Sequence, residues 1–392
     1  MMRVLSVLGT RPEAIKLAPV VRELARRPGL VSRVCLTGQH REMLAPILGL
    51  FGMHPDVDLA VMRPNQTPTQ VASAVLAGLE RVFADERPDW ILVQGDTTTV
   101  AAAAWAAYYA RIRVGHVEAG LRTGDKWQPF PEEVNRRIAS VVADLHLAPT
   151  EQARQNLLRE GIDPAAIVVT GNPVIDALHW ASEMPCDLSQ GALAQLDWSK
   201  RILVVTAHRR ENHGEPLRQI CLALREIATI YPDVVIVYPV HPNPNVTGPV
   251  YSLLGQVPGV VLLPPLDYMP FVHLLKRSYL VLTDSGGIQE EAPALASRSW
   301  CCVTSPSGQR LWRPARRVWW EPSRPASCER SVSSSMIGAT MLPWPTPPIH
   351  TAMGERPSAS WTPSWRAMAP APHRRHDMAR QVGRVGAMSE VR

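Results

Sequence analysis

Polar signatures stand at the ends of short apolar runs through residues 1–296 of this 392-residue chain. Gly9-Thr10-Arg11-Pro12-Glu13-Ala14-Ile15-Lys16 places a glycine turn, two cations and a helix start together. Helix N-termini offer free N–H groups to anions, and Arg11 and Lys16 add charge. A diphosphate suits this turn, and so does no ligand at all, as in an ordinary strand–helix turn with surface cations. Pro12 fits a first helical turn in either case. Gln94-Gly95-Asp96-Thr97-Thr98-Thr99 offers Asp96 as an N-cap, the ordinary role of Asp at such a place, or as a catalytic carboxylate. In His116-Val117-Glu118-Ala119-Gly120-Leu121-Arg122, Glu118 stands beside a buried-strand pattern, where a carboxylate needs a partner or a shifted pKa. Glu132, in Pro131-Glu132-Glu133-Val134-Asn135-Arg136, is a first-turn dipole partner or a catalyst.

The counterpart to these acids lies further on. Thr206-Ala207-His208-Arg209-Arg210-Glu211-Asn212 follows another strand, and a His beside two Arg can hold or protonate a phosphate leaving group. A solvated basic turn is the plain alternative. His241, in Val240-His241-Pro242-Asn243, is as well explained as a turn anchor. Asp284-Ser285-Gly286-Gly287-Ile288-Gln289-Glu290-Glu291 is the most specific segment. Ser-Gly-Gly at a helix start exposes backbone N–H groups to phosphate oxygens, and Glu291, one turn on, can accept from ribose hydroxyls. His54, His146, His179 and His273 lie in apolar or helical surroundings and read as packing residues. No cluster has metal-ligand spacing, and neither a metal nor a cofactor is expected.

These residues require elements to hold them. Apolar runs at 4–8, 31–36, 90–93, 114–117, 145–148 and 167–169 alternate with helical stretches such as 14–26, 97–110 and 133–143. Short apolar strands without polar alternation mark a sheet buried on both faces, and alternation with helices marks parallel βαβ units. The pattern pauses over residues 180–200. It resumes with strands at 202–206, 234–240, 260–263 and 279–283 and helices at 216–230 and 288–295. The expectation is an α/β chain of two doubly wound, Rossmann-like domains, 1–172 and 173–296. The site then belongs in a cleft between the two domains, at the carboxyl ends of the strands.

From residue 297 the composition changes. The last 96 residues hold 14 Arg, no Lys and five acids, with seven of the 12 Trp and 12 of the 37 Pro. The body before them is slightly acidic, so the formal +6 comes from the tail. That distribution argues against a nucleic-acid partner. The body cysteines, Cys35, Cys186 and Cys221, sit in apolar runs as buried thiols. No apolar run reaches membrane-spanning length, and the chain reads as cytoplasmic. Choosing permitted codons for residues 303–322 and regrouping them from each third base can produce Arg-Asp-Val-Thr-Glu-Arg-Pro-Glu-Ala-Val-Glu-Ala-Gly-Thr. The tail therefore reads as an irregular, out-of-frame end, with no sheet strand expected after residue 283.

Taken together, the segments Gly9 to Lys16, Thr37-Gly38-Gln39-His40-Arg41-Glu42-Met43, Gln94 to Thr98, His116 to Asp125, Pro131 to Asn135, His208 to Asn212 and Asp284 to Glu291 resemble the non-hydrolysing UDP-N-acetylglucosamine 2-epimerases. The resemblance runs in order through nearly all of 1–296. It implies a GT-B-like fold and interconversion of UDP-N-acetylglucosamine and UDP-N-acetylmannosamine by elimination and re-addition of UDP, in the synthesis of cell-surface polysaccharide precursors. By the same resemblance Asp96, Glu118 and Glu132 are the acid–base carboxylates, and His208 stabilises the departing diphosphate. Arg11 and Lys16 match diphosphate contacts. Phe271, Ser285, Gly286, Gly287 and Glu291 match uridine, ribose and phosphate contacts. Gln39, His40, Arg209 and His241 match a region where a second UDP-N-acetylglucosamine binds as activator, and a homodimer is usual for the family.

Two departures stand out. Leu266 occupies a place where many members carry Gln near the uracil, and the family's Thr-Glu-Arg-Pro-Glu segment is absent in the frame as read. Weak or absent activity is therefore expected of this chain. A GT-B glycosyltransferase acting on a UDP-sugar is the main alternative; it shares the fold but does not need three carboxylates at one sugar carbon.

Overall fold

The computed structural model describes residues 1–38, 41–63, 65–295, 298–301 and 317–319. The first sheet contains β1 (Met2–Leu8), β2 (Leu30–Leu36), β3 (Val57–Asp58), β4 (Trp90–Gln94), β5 (Arg113–Val117), β6 (Leu145–Ala148) and β7 (Ile167–Val169), in the order β3-β2-β1-β4-β5-β6-β7. The second contains β8 (Arg201–Thr206), β9 (Val234–Pro239), β10 (Val260–Leu263), β11 (Leu280–Thr283), β12 (Arg298–Cys301) and β13 (Arg317–Trp319), in the order β10-β9-β8-β11-β12-β13. Every pairing is parallel. The chain is thus an α/β protein with two parallel sheets and a GT-B-like fold.

The helices of the first half are α1 (Arg11–Arg26), α2 (Arg41–Leu50), α3 (Pro68–Glu86), α4 (Thr98–Tyr109), α5 (Glu132–Val142) and α6 (Glu151–Arg159). The second half carries α8 (Glu215–Ile230), α9 (Pro244–Leu254), α10 (Tyr268–Arg277) and α11 (Gly286–Ala294), and α7 (Pro173–Glu183) lies between the halves. Burial explains the strand sequences. All five residues of β4 are buried, with one core cluster around α1, α2 and α7 and another around α3 and α4 on the opposite face. Tyr268 and Val272 of α10 enter the first of these clusters, so apolar contact joins the halves.

The order of each sheet reverses once, at β1/β4 in the first and at β8/β11 in the second. Such switch points open a crevice beyond the strand ends, because the helices on either side depart to opposite faces. The loop after β1 leads into Arg11 at the start of α1 and the loop after β4 carries Asp96, while those after β8 and β11 carry His208 and Ser285. Local chemistry starts the helices there. At α1 the Thr10 side chain accepts from Glu13 N–H while the Glu13 carboxylate accepts from the backbone N–H groups of Gly9 (2.7 Å) and Thr10 (2.6 Å). This is a reciprocal cap that satisfies otherwise orphaned donors.

Several expectations need correction. The second sheet does extend past Thr283, through β12 and β13, where no strand was expected. Helix α7 runs to Glu183, into the segment read as a pause; its face Val174, Ala177, Leu178 and Ala181 is buried against the first sheet. His146 is buried, but His54 and His179 are exposed and are not packing residues. Cys35 and Cys221 are buried, whereas Cys186 is only half-buried. The strand β3 is two residues long, too short to leave a pattern.

Candidate active site

A cavity of about 520 Å³ opens at the β1/β4 switch point, lined among others by Thr10, Lys16, Asp96, Glu118, Glu132 and Arg136. The three acids of the sequence reading thus share one wall with one of the two predicted cations, although 36 residues of chain separate the first from the last.

Glu118 ends the run of β5 with φ +63°. A non-glycine residue held there costs roughly 1–3 kcal/mol and persists only where its surroundings over-determine it. Three donors do so here. Lys16 Nζ lies 2.6 Å from Oε2, Gln94 Nε2 donates to the same oxygen, and Asn172 Nδ2 donates to Oε1 at 3.0 Å. Burial acts to lower the Lys16 pKa, but Glu118, with Glu290 and Asp96 behind it, outweighs that and holds the ammonium above its ordinary value.

Asp96 is not the cap of α4. Thr97 is, accepting from Val100 N–H at 3.3 Å. The Asp96 carboxylate instead meets the Arg136 guanidinium from α5, and Asn135 Nδ2 donates to the Asp96 carbonyl at 3.0 Å. Desolvation raises the Asp96 pKa, and Glu118 adds to the rise against the opposing pull of Arg136. Glu132 opens α5 and its Oε2 is buried without a hydrogen-bond partner among the described residues. Its neighbour Glu133 is the structural acid, taking the N–H groups of Thr123 and Gly124 and pairing with Arg136 and Arg137. Beneath the wall, His116 is fully buried and donates from Nε2 to the Gly95 carbonyl at 2.7 Å; burial pushes its pKa down to about 3, so the ring is neutral.

A second cluster gathers at the β8/β11 switch point. His208 stacks on His241, centroids 5.4 Å apart and planes 11° from parallel. Asp284 accepts from the backbone N–H groups of His208 and Arg209. Arg209 Nη2 would lie 3.2 Å from a Cβ placed on Gly286, so the guanidinium packs directly over the Ser-Gly-Gly turn. Ser285 stands at the N-cap of α11 and its N–H donates to Thr283 Oγ1 at 3.0 Å. Burial pushes the Glu291 carboxyl up to about 6, with Lys16 opposing. Phe271 packs half-buried against the core of the second sheet, beside residues such as Val204, Val237 and Val281, and Arg11 begins α1.

His208 is not on the wall of the 520 Å³ cavity, whose lining comes from the first half alone. The two clusters meet at Asn172, whose amide bridges Glu118 Oε1 and Glu290 Oε2 (2.8 Å) while its Oδ1 accepts from Val174 N–H to cap α7. Gln39 and His40 lie outside the described residues. Sequence reasoning missed Asn172, Gln94, Arg136 and Asp284 as site residues. An Asn immediately before Pro at a strand–helix junction was the available signal for Asn172, but its partners are 54 and 118 positions away.

Two Rossmann-like parallel sheets, one carrying clustered acids at its switch point and the other an imidazole beside a glycine-rich helix start at its own, define a GT-B-like α/β enzyme that handles a nucleotide-linked substrate. The UDP-N-acetylglucosamine 2-epimerase family model matches residues 22–304. The UDP-N-acetylglucosamine 2-epimerase of Salmonella typhimurium is 53% identical over 300 residues, 75% of this chain and 80% of that protein. The Neisseria meningitidis enzyme bound to UDP-GlcNAc superposes with a TM-score of 0.72 at 46% identity, covering 78% of this chain and 84% of that one. The Methanocaldococcus jannaschii enzyme in complex with UDP-GlcNAc and UDP does so at 0.66 and 30%, covering 86% and 91%. The chain therefore belongs to the UDP-N-acetylglucosamine 2-epimerase family and is an isomerase. The family match stops within eight residues of Ala296, where the composition changes, consistent with an altered C-terminus.

Proposed function

We propose that this chain interconverts UDP-N-acetylglucosamine and UDP-N-acetylmannosamine through a 2-acetamidoglucal. The observation that carries the reading is the convergence of Asp96, Glu118 and Glu132 on one cavity beside Lys16. Inversion at C2 requires the proton to leave one face and return to the other, so it needs more than one acid–base group. The C2–H is not acidic, and its removal becomes feasible only as the C1–O bond to UDP breaks and the leaving charge is stabilised.

Glu132 suits the proton acceptor, since its Oε2 has no donor among the described residues. Asp96, on the same cavity and held by Arg136, is the proposed second acid–base group. Glu118, fastened by Lys16, Gln94 and Asn172, suits a fixed negative wall that orients both. Lys16, Arg11 and the N–H groups of the Ser285-Gly286-Gly287 turn would take the diphosphate oxygens, His208 would stabilise them as they depart, and Glu291 would accept from ribose. Phe271 is the proposed uridine neighbour.

The domains are taken as 1–172 and 173–296, with residues 297–392 a region apart. A homodimer, a cytoplasmic setting and a role for Arg209 and His241 at an activator site, with Gln39 and His40, complete the proposal. Among the described residues, no helix is long and apolar enough to cross a membrane.

Incubation with UDP-N-acetylglucosamine in deuterated buffer tests the reading. Deuterium at C2, with the manno epimer formed and no acceptor sugar present, is expected. No C2 exchange in that mixture, with sugar transfer once an acceptor is added, would place the chain among glycosyltransferases instead.

A further inference from the structure

Asp284 follows β11 and is wholly buried. Its two oxygens live in different surroundings. Oδ2 accepts from the backbone N–H of His208 (2.8 Å), the backbone N–H of Arg209 (2.9 Å) and the side-chain amide of Asn212 (2.9 Å). Oδ1 accepts no hydrogen bond among the described residues, and His208 Nδ1 stands 3.7 Å from it. A buried carboxylate oxygen left without a donor is costly, and the His208 ring has an N–H to offer after a small rotation.

The surrounding frame is rigid. Thr206 and Thr283 hydroxyls meet at 2.6 Å, the Asp284 N–H donates to the Thr206 carbonyl at 3.0 Å, and the Tyr238 hydroxyl donates to the Ala207 carbonyl at 2.5 Å. Because Asp284 directly precedes Ser285-Gly286-Gly287, one residue ties the imidazole loop to the glycine-rich helix start.

We propose that Asp284 is a positioning residue for His208: its free Oδ1 takes the Nδ1–H, which leaves Nε2 as the nitrogen presented to a diphosphate oxygen. The inference rests on the reading of His208 as a group at the leaving diphosphate. The groups that face the ring are Asp284, His241, Arg209 and His213. Burial pushes the His208 pKa down, and His241, Arg209 and His213 push the same way; Asp284 alone pulls it up. Among the described residues nothing else facing the ring carries negative charge, so there only Asp284 favours the imidazolium before a diphosphate arrives.

The test uses the whole chain with ¹⁵N-labelled histidine, the His208 resonances being assigned by their loss in His208→Asn. The expected result for the parent is a neutral ring in the Nδ1–H tautomer. In Asp284→Asn the amide oxygen can keep the loop bonds while its N–H faces Nδ1, so the tautomer should switch to Nε2–H and the His208 pKa should fall. A parent ring in the Nε2–H form overturns the inference even if the variant does not fold. An unchanged tautomer and pKa in a folded Asp284→Asn overturns it too. Titration with UDP separates the two readings. No response of His208 in the parent removes its role at the diphosphate, whereas a clear response from an Nε2–H ring removes only that of Asp284.

Discussion

Lys16 and Glu118, 102 positions apart, form an ion pair of 2.6 Å on the wall of the cavity, with the Glu118 carboxylate almost entirely buried. Breaking such a pair by removing one partner leaves an uncompensated charge, at a cost of about 3–5 kcal/mol. Lys16→Met should therefore lower the melting temperature, and adding Glu118→Gln should recover part of the loss. Differential scanning calorimetry of the single and double variants checks this order. Exchange at C2 should fall by about 100-fold or more in either variant, the scale of one positioned acid–base group.

Asn172 performs two tasks that substitution can separate. Its Oδ1 caps α7, and its Nδ2 bridges Glu118 to Glu290. Serine is an equally good N-cap but cannot span the two carboxylates. Asn172→Ser should thus melt near the parent and bind UDP with unchanged affinity, yet lose about tenfold in C2 exchange as Glu118 loses one of its three donors. Asn172→Ala should lose stability as well, by about 1 kcal/mol. A Ser variant with full exchange would show that the bridge is dispensable.

Glu291 makes a pH-dependent contribution whose sign follows from its burial. Its folded pKa of about 6 lies above the ordinary 4.5, so the folded chain holds an extra proton between those values. Stability from this group therefore declines as pH rises from about 4.5 to 6, and the penalty persists above. Glu291→Gln should melt higher than the parent at pH 7.5, with the difference vanishing below pH 4.5. Its UDP affinity should fall about tenfold, the scale of one hydrogen bond to a charged acceptor. Melting curves across pH and isothermal titration with UDP measure the two effects.

The C-terminal region is open to a direct test. Sequencing the gene across codons 295–297 should reveal an inserted or deleted base. Restoring the frame should bring back a Thr-Glu-Arg-Pro-Glu segment and raise both UDP affinity and turnover over those of the chain as it stands. Full turnover by the unaltered chain would remove this reading of residues 297–392.

Much of the architecture was legible because both faces of each sheet are covered. A doubly covered strand must be apolar throughout, so β1, β4, β5 and β8 announce themselves as short runs without alternation. The candidate acids were legible too, as carboxylates where a strand gives way to a turn. Two kinds of feature were not. The edge strand β3, and the last two strands of the second sheet, β12 and β13, in a stretch rich in Trp and Arg, owe their pairing to neighbouring strands and show no pattern of their own. Nor could local sequence choose between Asp96 and its neighbour as the cap of α4, since both residue types serve.

Residue order alone therefore determined the α/β class, the places where strands end and the acids, cations and imidazole that stand there, because burial and helix starts act on neighbours along the chain. Tertiary structure decided which of them meet. Arg136 draws Asp96 away from a cap, Lys16 pairs with Glu118, Asn172 spans the halves, and Asp284 lies beneath His208. Each of these contacts joins positions at least 40 residues apart, and only folding brings such charges close enough to interact.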